Sequence, residues 1–249
     1  TETFLAEDGW VYISYVNPDG TTDLNTLYRV PLSGTQERDM TIAILRLLNV
    51  GSTIIYFDES LDELSPLDGG ARGISSMALL LQQNGIATLP LNIEALAASG
   101  EEIPRNADAI ILARPAKEPS ESAIRLIDAY LRDGGGLLIL ADTQTDFMTE
   151  GSPFNNYMWE NWGLRMGSGV VVEDMLSGET NLDAISFAVT DSEITAGINP
   201  DTDPASSVQF RIARPVEVDE SPPVPNGRLI QTSPGSYAEQ SVDPLFRRN

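Results

Sequence analysis

The sequence predicts an α/β protein built on a doubly wound parallel sheet, and three observations carry that prediction. Short apolar runs recur at residues 52–57, 86–91, 108–113 and 136–141, each of the kind buried on both faces of a parallel sheet. Between them lie segments whose apolar residues follow the helical period. The alternation is sustained over about 90 residues, the pattern of a flavodoxin-like fold with helices on both sides of the sheet. An N-terminal β-hairpin precedes this unit, and a β-rich C-terminal extension follows it.

Trp10-Val11-Tyr12-Ile13-Ser14-Tyr15-Val16 is aromatic and β-branched, and Asn17-Pro18-Asp19-Gly20 is a turn signal. A return strand is expected around residues 26–30. Met40, Ala43, Ile44, Leu47 and Leu48 then fall on one helical face, and Ser33 with Gln36 has the spacing of a capping box. After the first sheet strand, an acidic loop leads to a second helix carrying Ile74, Met77, Ala78 and Leu81, closed by Gly85. A weak helix or turn follows near 93–98. Ser120 is placed to cap a helix with Ile124, Ile127 and Leu131 inward, and Asp133-Gly134 ends it.

Beyond Phe147 the texture changes. Residues 155–162 read as a short helix with Tyr157, Met158 and Trp162 toward the core, and Gly167-Ser168-Gly169 leads into Val170-Val171-Val172. Short β-like runs at 184–189, 207–212 and 228–231 alternate with Pro- and Asp-rich loops. The expected organisation is a hairpin over 1–32, a flavodoxin-like domain over 33–150, and 151–249 as an extension of that domain or a small second lobe.

Composition narrows the chemistry. The 249 residues carry a formal net charge of −22, which disfavours binding to phosphate backbones or anionic lipid surfaces by charge. No cysteine is present, which excludes disulfides, thiolate metal sites and thiol nucleophiles. No histidine is present either, which removes the usual general base near neutral pH and the commonest transition-metal ligand. No apolar run approaches the roughly 18 residues needed to span a bilayer. With Thr1 at one end and Arg247-Arg248-Asn249 at the other, the chain reads as a piece of something longer.

The order of motifs resembles the extracytoplasmic domain of GldG-type auxiliary proteins of ABC transport systems, a family first described with gliding motility. Leu32-Ser33-Gly34-Thr35-Gln36-Glu37-Arg38-Asp39, running into residues 41–48, is similar to the family's opening helix. Ile110-Ile111-Leu112-Ala113-Arg114-Pro115, Pro119-Ser120-Glu121, and the run from Ile127 through Asp133-Gly134-Gly135-Gly136 to Leu140 are similar to its most recognisable stretch. Trp162-Gly163-Leu164-Arg165, Ser192-Glu193-Ile194-Thr195-Ala196-Gly197-Ile198 and Ala213-Arg214-Pro215 resemble later landmarks. One departure stands out. Many members end the first sheet strand with Gly-His-Gly-Glu, where this chain has Phe57-Asp58-Glu59-Ser60.

The resemblance implies a class I glutamine-amidotransferase-like fold without that fold's catalytic cysteine and histidine. It implies a non-catalytic domain on the outer face of the cell membrane, tethered by transmembrane segments outside this chain. Its partners would be the transporter's permease and ATPase subunits. The ATPase lies elsewhere, because no G-x-x-x-x-G-K-[ST] loop is present.

Candidate site residues follow from the topology. In an open parallel sheet, ligands bind beyond the carboxyl ends of the strands, where strand order reverses. Asp58 and Glu59 follow the first strand, Arg114 the third, and Asp142 with Asp146 the fourth. On the functional reading they form a polar crevice in which an arginine fork would hold a carboxylate or the hydroxyls of a small ligand such as a sugar. The structural alternative is that Asp58 and Asp142 cap helices or turns and Arg114 pairs with one of them. Other readings are a hydrolase using paired carboxylates on glycans and a structural assembly module with an apolar patch on the β-rich half. No cofactor or metal is expected. Asn17-Pro18-Asp19-Gly20 reads as a turn more than a calcium loop. Gly69-Gly70-Ala71-Arg72-Gly73 reads as a loop more than an anion cradle, and Trp159 with Trp162 as core more than a sugar platform.

Overall fold

The structure, a computed structural model, describes residues 2–7, 10–22, 28–31, 53–70, 73–174, 180–188, 192, 194–195, 198 and 208–240. The helix expected over residues 33–48, with its capping box, lies outside these described residues.

The chain opens with three antiparallel strands, β1 (Glu2–Glu7), β2 (Trp10–Tyr15) and β3 (Tyr28–Pro31), in the order β1-β2-β3. The expected hairpin is β2–β3, and β1 adds a strand that the alternation did not single out. The turn after β2 closes by a Gly20 N–H bond to the Asn17 carbonyl at 2.9 Å, with Gly20 at φ +83.

The parallel sheet contains β4 (Ile54–Asp58), β5 (Ala87–Leu91), β6 (Ala109–Ala113) and β7 (Gly136–Leu140), in the order β5-β4-β6-β7. Its connections hold α1 (Ser75–Gln83), α2 (Ile93–Ser99) and α3 (Glu121–Arg132), and α4 (Pro153–Trp162) follows β7. Every pairing within this sheet is parallel.

Alternation along the strands assigns side chains to the two faces. Ile54 and Tyr56, Ile110 and Leu112, and Leu137 and Ile139 join one core with Ile93 of α2, Ala123 and Ile127 of α3, and Phe154 and Met158 of α4. Ile55, Phe57, Ile111 and Ala113 join a second core with Ile74, Met77, Ala78 and Leu81 at α1. Helices therefore cover both faces, giving a three-layer α/β arrangement. Leu138 and Leu140 alternate onto the second face and remain 41% and 40% exposed.

Local chemistry sets the helix limits. Asn92 accepts from Ala95 N–H at 2.8 Å at the start of α2, and Ser120 Oγ accepts from Ala123 N–H at 3.2 Å at the start of α3. Pro153 opens α4, and Gly163, at φ +66, closes it.

The rest of the chain is β-rich. β8 (Leu164–Met166) pairs with β13 (Val216–Val218); β9 (Val170–Asp174) lies between β10 (Thr180–Asn181) and β15 (Ser236–Glu239). β11 (Asp183–Ala188) lies between β12 (Val208–Arg211) and β14 (Ile230–Thr232). Val170, Val171 and Val172 are all buried, so β9 is enclosed on both faces. This region is stitched to the α/β unit. Asp219 N–H donates to the Gly163 carbonyl at 2.8 Å, and Asn226 Nδ2 reaches the carbonyls of Trp162 and Gly163.

Candidate functional site

Strand order places the ends of β4, β6 and β7 side by side, so Asp58, Arg114 and Asp142 share the carboxyl edge of the sheet. They fall into two separate arrangements. Asp58 is fully buried. Its Oδ1 accepts from Ile93 N–H at 2.9 Å in the first turn of α2, and its Oδ2 accepts from Ser60 Oγ at 2.7 Å. Ser60 Oγ in turn accepts from Glu94 N–H at 3.4 Å. The loop after β4 thereby clasps the start of α2, and Asp58 presents no surface to solvent.

Arg114 adopts the left-handed region at φ +57. Its N–H donates to the Leu140 carbonyl at 2.8 Å, and its Nε donates to Asp142 Oδ2 at 2.5 Å. The other Asp142 oxygen accepts from Gln144 N–H at 2.9 Å. Burial by itself raises the Asp142 pKa; the hydrogen bonds from Arg114 and Gln144 outweigh it and hold the carboxyl below its ordinary value. The pair ties the end of β6 to the loop after β7. Both side chains keep about a third of their surface in water, at 37% and 30%. Glu59 is exposed, with its N–H on the Leu91 carbonyl, and Asp146 is exposed in the loop after β7.

The loop between Glu59 and Leu64 crosses the place where strand order reverses. Leu61 is 1% exposed and joins the larger core. Its carbonyl accepts from Ala116 N–H at 2.8 Å, and Leu64 N–H donates to the Ala113 carbonyl at 2.8 Å. Lys117 and Asp62 form an exposed ion pair at 3.1 Å on the rim of this loop. The chain's own backbone thus spans the gap from β4 to β6.

Three acting residues escaped the sequence reading of the site. Glu63, within the crossing loop, accepts from Leu61 N–H at 2.7 Å through Oε2, while its Oε1 is buried without a hydrogen-bond partner. Burial first, then the neighbouring Asp58 carboxyl, push its pKa up to about 8. Nothing in an acidic loop marks this glutamate from its neighbours. Glu118 accepts from Met148 N–H with one oxygen and from Phe154 N–H, at 3.0 Å, with the other.

Arg214 donates to the Phe147 carbonyl at 2.7 Å and the Met148 carbonyl at 2.6 Å, with longer bonds to the Gly167 carbonyl. Desolvation lowers its pKa, opposed by the charge of Glu118. Glu118 and Arg214 therefore hold the loop after β7 from two directions. Arg214 sits in Ala213-Arg214-Pro215, which the sequence did single out, although without a role.

The remaining motifs have local explanations. Asp19 Oδ1 accepts from Thr21 N–H and Thr21 Oγ, bonds that lower its pKa and belong to a turn. Gly70 N–H donates to Asp68 Oδ1 at 2.7 Å, so the chain's own carboxylate occupies that glycine loop. Trp162 packs against the core with its Nε1 donating to Tyr157, and the Arg165 guanidinium lies 4.3 Å from the centre of the Trp159 ring. Among the described residues, no group of three or more acids converges to hold a metal ion. None of the described helices is long and apolar enough to cross a membrane.

An open hollow of about 820 Å³ lies at the opposite, amino edge of the sheet, lined by Arg105, Asp108, Tyr130, Asp133 and Gly135 among others. The hollow touches none of the residues expected to bind ligand.

No family model matches the sequence, and no curated protein does. Among solved structures, the fold is similar to the mmIFT52 N-terminal domain, with a TM-score of 0.51 and 17% sequence identity. The match covers 74% of this chain and 75% of that one, and at this identity it shows a shared fold.

Proposed function

We propose that this chain is a non-catalytic, flavodoxin-like accessory domain of an ABC transport system, of the GldG type, on the outer face of the cell membrane. In this reading it contacts the transporter's membrane subunits and works beside its permease and ATPase, with segments outside this chain providing the membrane tether. The observation that carries the proposal is the place of the family-like motifs in the fold. Ile110 to Pro115 and Pro119 to Leu140 fall on β6, α3 and β7, and Arg214 of the later landmark holds the loop that follows them. The class I glutamine-amidotransferase-like assignment rests on the same order of elements.

A binding role fits the chemistry of the carboxyl edge. Asp58 and Glu63 face each other under a loop, and Arg114 is held by Asp142, which is an arrangement that supports structure and surface recognition. Contact with a transporter subunit is favoured over a small ligand because the crossing loop occupies the usual ligand position.

The test is direct binding of the purified domain to the permease encoded with it, reconstituted in nanodiscs and followed by calorimetry or interferometry. Saturable binding that is weakened by Arg114→Glu is the expected result. The reading fails if the permease does not bind while the domain turns over a glycoside and loses that turnover on Asp142→Asn.

A further inference from the structure

Asp58 and Glu63 are neighbouring acids from the two ends of one short loop, and one buried Glu63 oxygen has no partner. Asp58 is fully buried and already accepts at both oxygens, from Ile93 N–H and Ser60 Oγ. Glu63 accepts at Oε2 from Leu61 N–H, while its Oε1 is buried with no N–H or O–H partner. Two carboxylates hydrogen-bond each other only through a proton, and the unmatched Glu63 oxygen is where that proton has a use. We propose that the protonated Glu63 carboxyl, donating to Asp58, latches residues 59–64 over the carboxyl edge of the sheet, and that loss of this proton releases the loop.

The surrounding charges leave the pair to itself. Lys117 is engaged by Asp62 on the rim, and Arg114 is engaged by Asp142. Glu94, at the start of α2, accepts from Ser120 N–H and Oγ, and Glu59 is exposed. No ion pair joins a cation to Glu63 among the described residues, so a proton neutralises the pair. The raised Glu63 pKa, about 8, agrees with this geometry.

Once ionised, Glu63 lies against a buried carboxylate in a medium that screens poorly. Moving the loop toward water relieves the repulsion, at the cost of the Leu64 N–H bond to Ala113, the Ala116 N–H bond to Leu61 and the exposure of the buried Leu61 side chain. The opening exposes the ends of β4 and β6, where strand order reverses and ligands enter α/β sheets. The latch is independent of the transporter role proposed above.

The experiment is amide hydrogen exchange between pH 6 and 9.5, expressed as protection factors, on the unaltered chain and on Glu63→Gln. The amide that this substitution introduces would donate to Asp58 without ionising. In the unaltered chain, protection at Leu64 and Ala116 should fall about tenfold or more across pH 8 while Leu112 in β6 stays protected; the variant should keep its loop protection. Equal protection at all pH values, a parallel fall in the variant, or a simultaneous fall at Leu112 would each overturn the latch. A carboxyl-carbon NMR titration of Glu63 in the unaltered chain decides the matter without a variant. A midpoint near 8 supports the latch, and an ordinary carboxylate midpoint refutes it.

Discussion

Arg214 shows how one side chain joins two parts of the chain. Its guanidinium bonds the carbonyls of Phe147, Met148 and Gly167, groups that are costly to leave unmatched in a half-buried position. Arg214→Ala should lower stability by about 2–3 kcal/mol in urea denaturation. Arg214→Lys should recover only part of that, because an ammonium cannot span three carbonyls in a fixed plane. Full recovery with lysine would mean that charge alone matters there.

Glu63 makes a pH-dependent contribution whose sign is fixed. Its pKa in the folded protein, about 8, lies above its ordinary value of 4.5, so the folded chain keeps a proton that the unfolded chain loses between those values. The stabilisation is complete below about pH 4.5 and is lost as pH rises through 8. Water reaches part of this side chain, so the effect is on the order of 1–2 kcal/mol. Chemical denaturation at several pH values should show that decline, and Glu63→Gln should remove it. Asp142 acts in the opposite sense: its lowered pKa stabilises above its unfolded value and fails as acid titrates it.

At the scale of elements, the passage from α3 to β7 shows two different uses of glycine. Gly134 has φ +95 and open space around the position of a Cβ, so it serves the backbone turn alone. Gly135 lies under the Tyr130 ring, and a Cβ there would run into the ring atoms. Tyr130 is fixed there by its hydroxyl, which donates to the carbonyls of Ala107 and Gly136. Gly134→Ala should cost about 1 kcal/mol in backbone strain. Gly135→Ala should cost about 2–3 kcal/mol by displacing the ring. Thermal unfolding of the two variants tests that order, and a milder effect at Gly135 would refute the packing argument.

For the whole molecule, the net charge of −22 dominates the surface. Arg105, Arg114, Lys117, Arg125, Arg132 and Arg165 are each engaged by an acid, and the acids left over repel one another. Raising salt from about 0.05 M to 0.5 M should therefore raise the melting temperature by a few degrees, since the Debye length falls well below the spacing of surface charges. A flat or falling melting temperature would mean that the acids are compensated locally. The α/β architecture was determined by the sequence alone, because both-face burial leaves unbroken apolar runs at β4 and β6 and because Ser120 and Asp133-Gly134 delimit α3 through local hydrogen bonding. The strands β8, β13 and β15 were not legible, since they are only three or four residues long and their hydrogen bonds come from partners distant in the chain. The site divides in the same way. Sequence placed Asp58, Arg114 and Asp142 at one edge because strand ends follow from strand order. Only the tertiary structure decided that Asp58 turns inward to Ile93 and Glu63 while Arg114 turns to Asp142, because hydrogen-bond partners 28 and 35 residues away leave no periodic trace in a sequence.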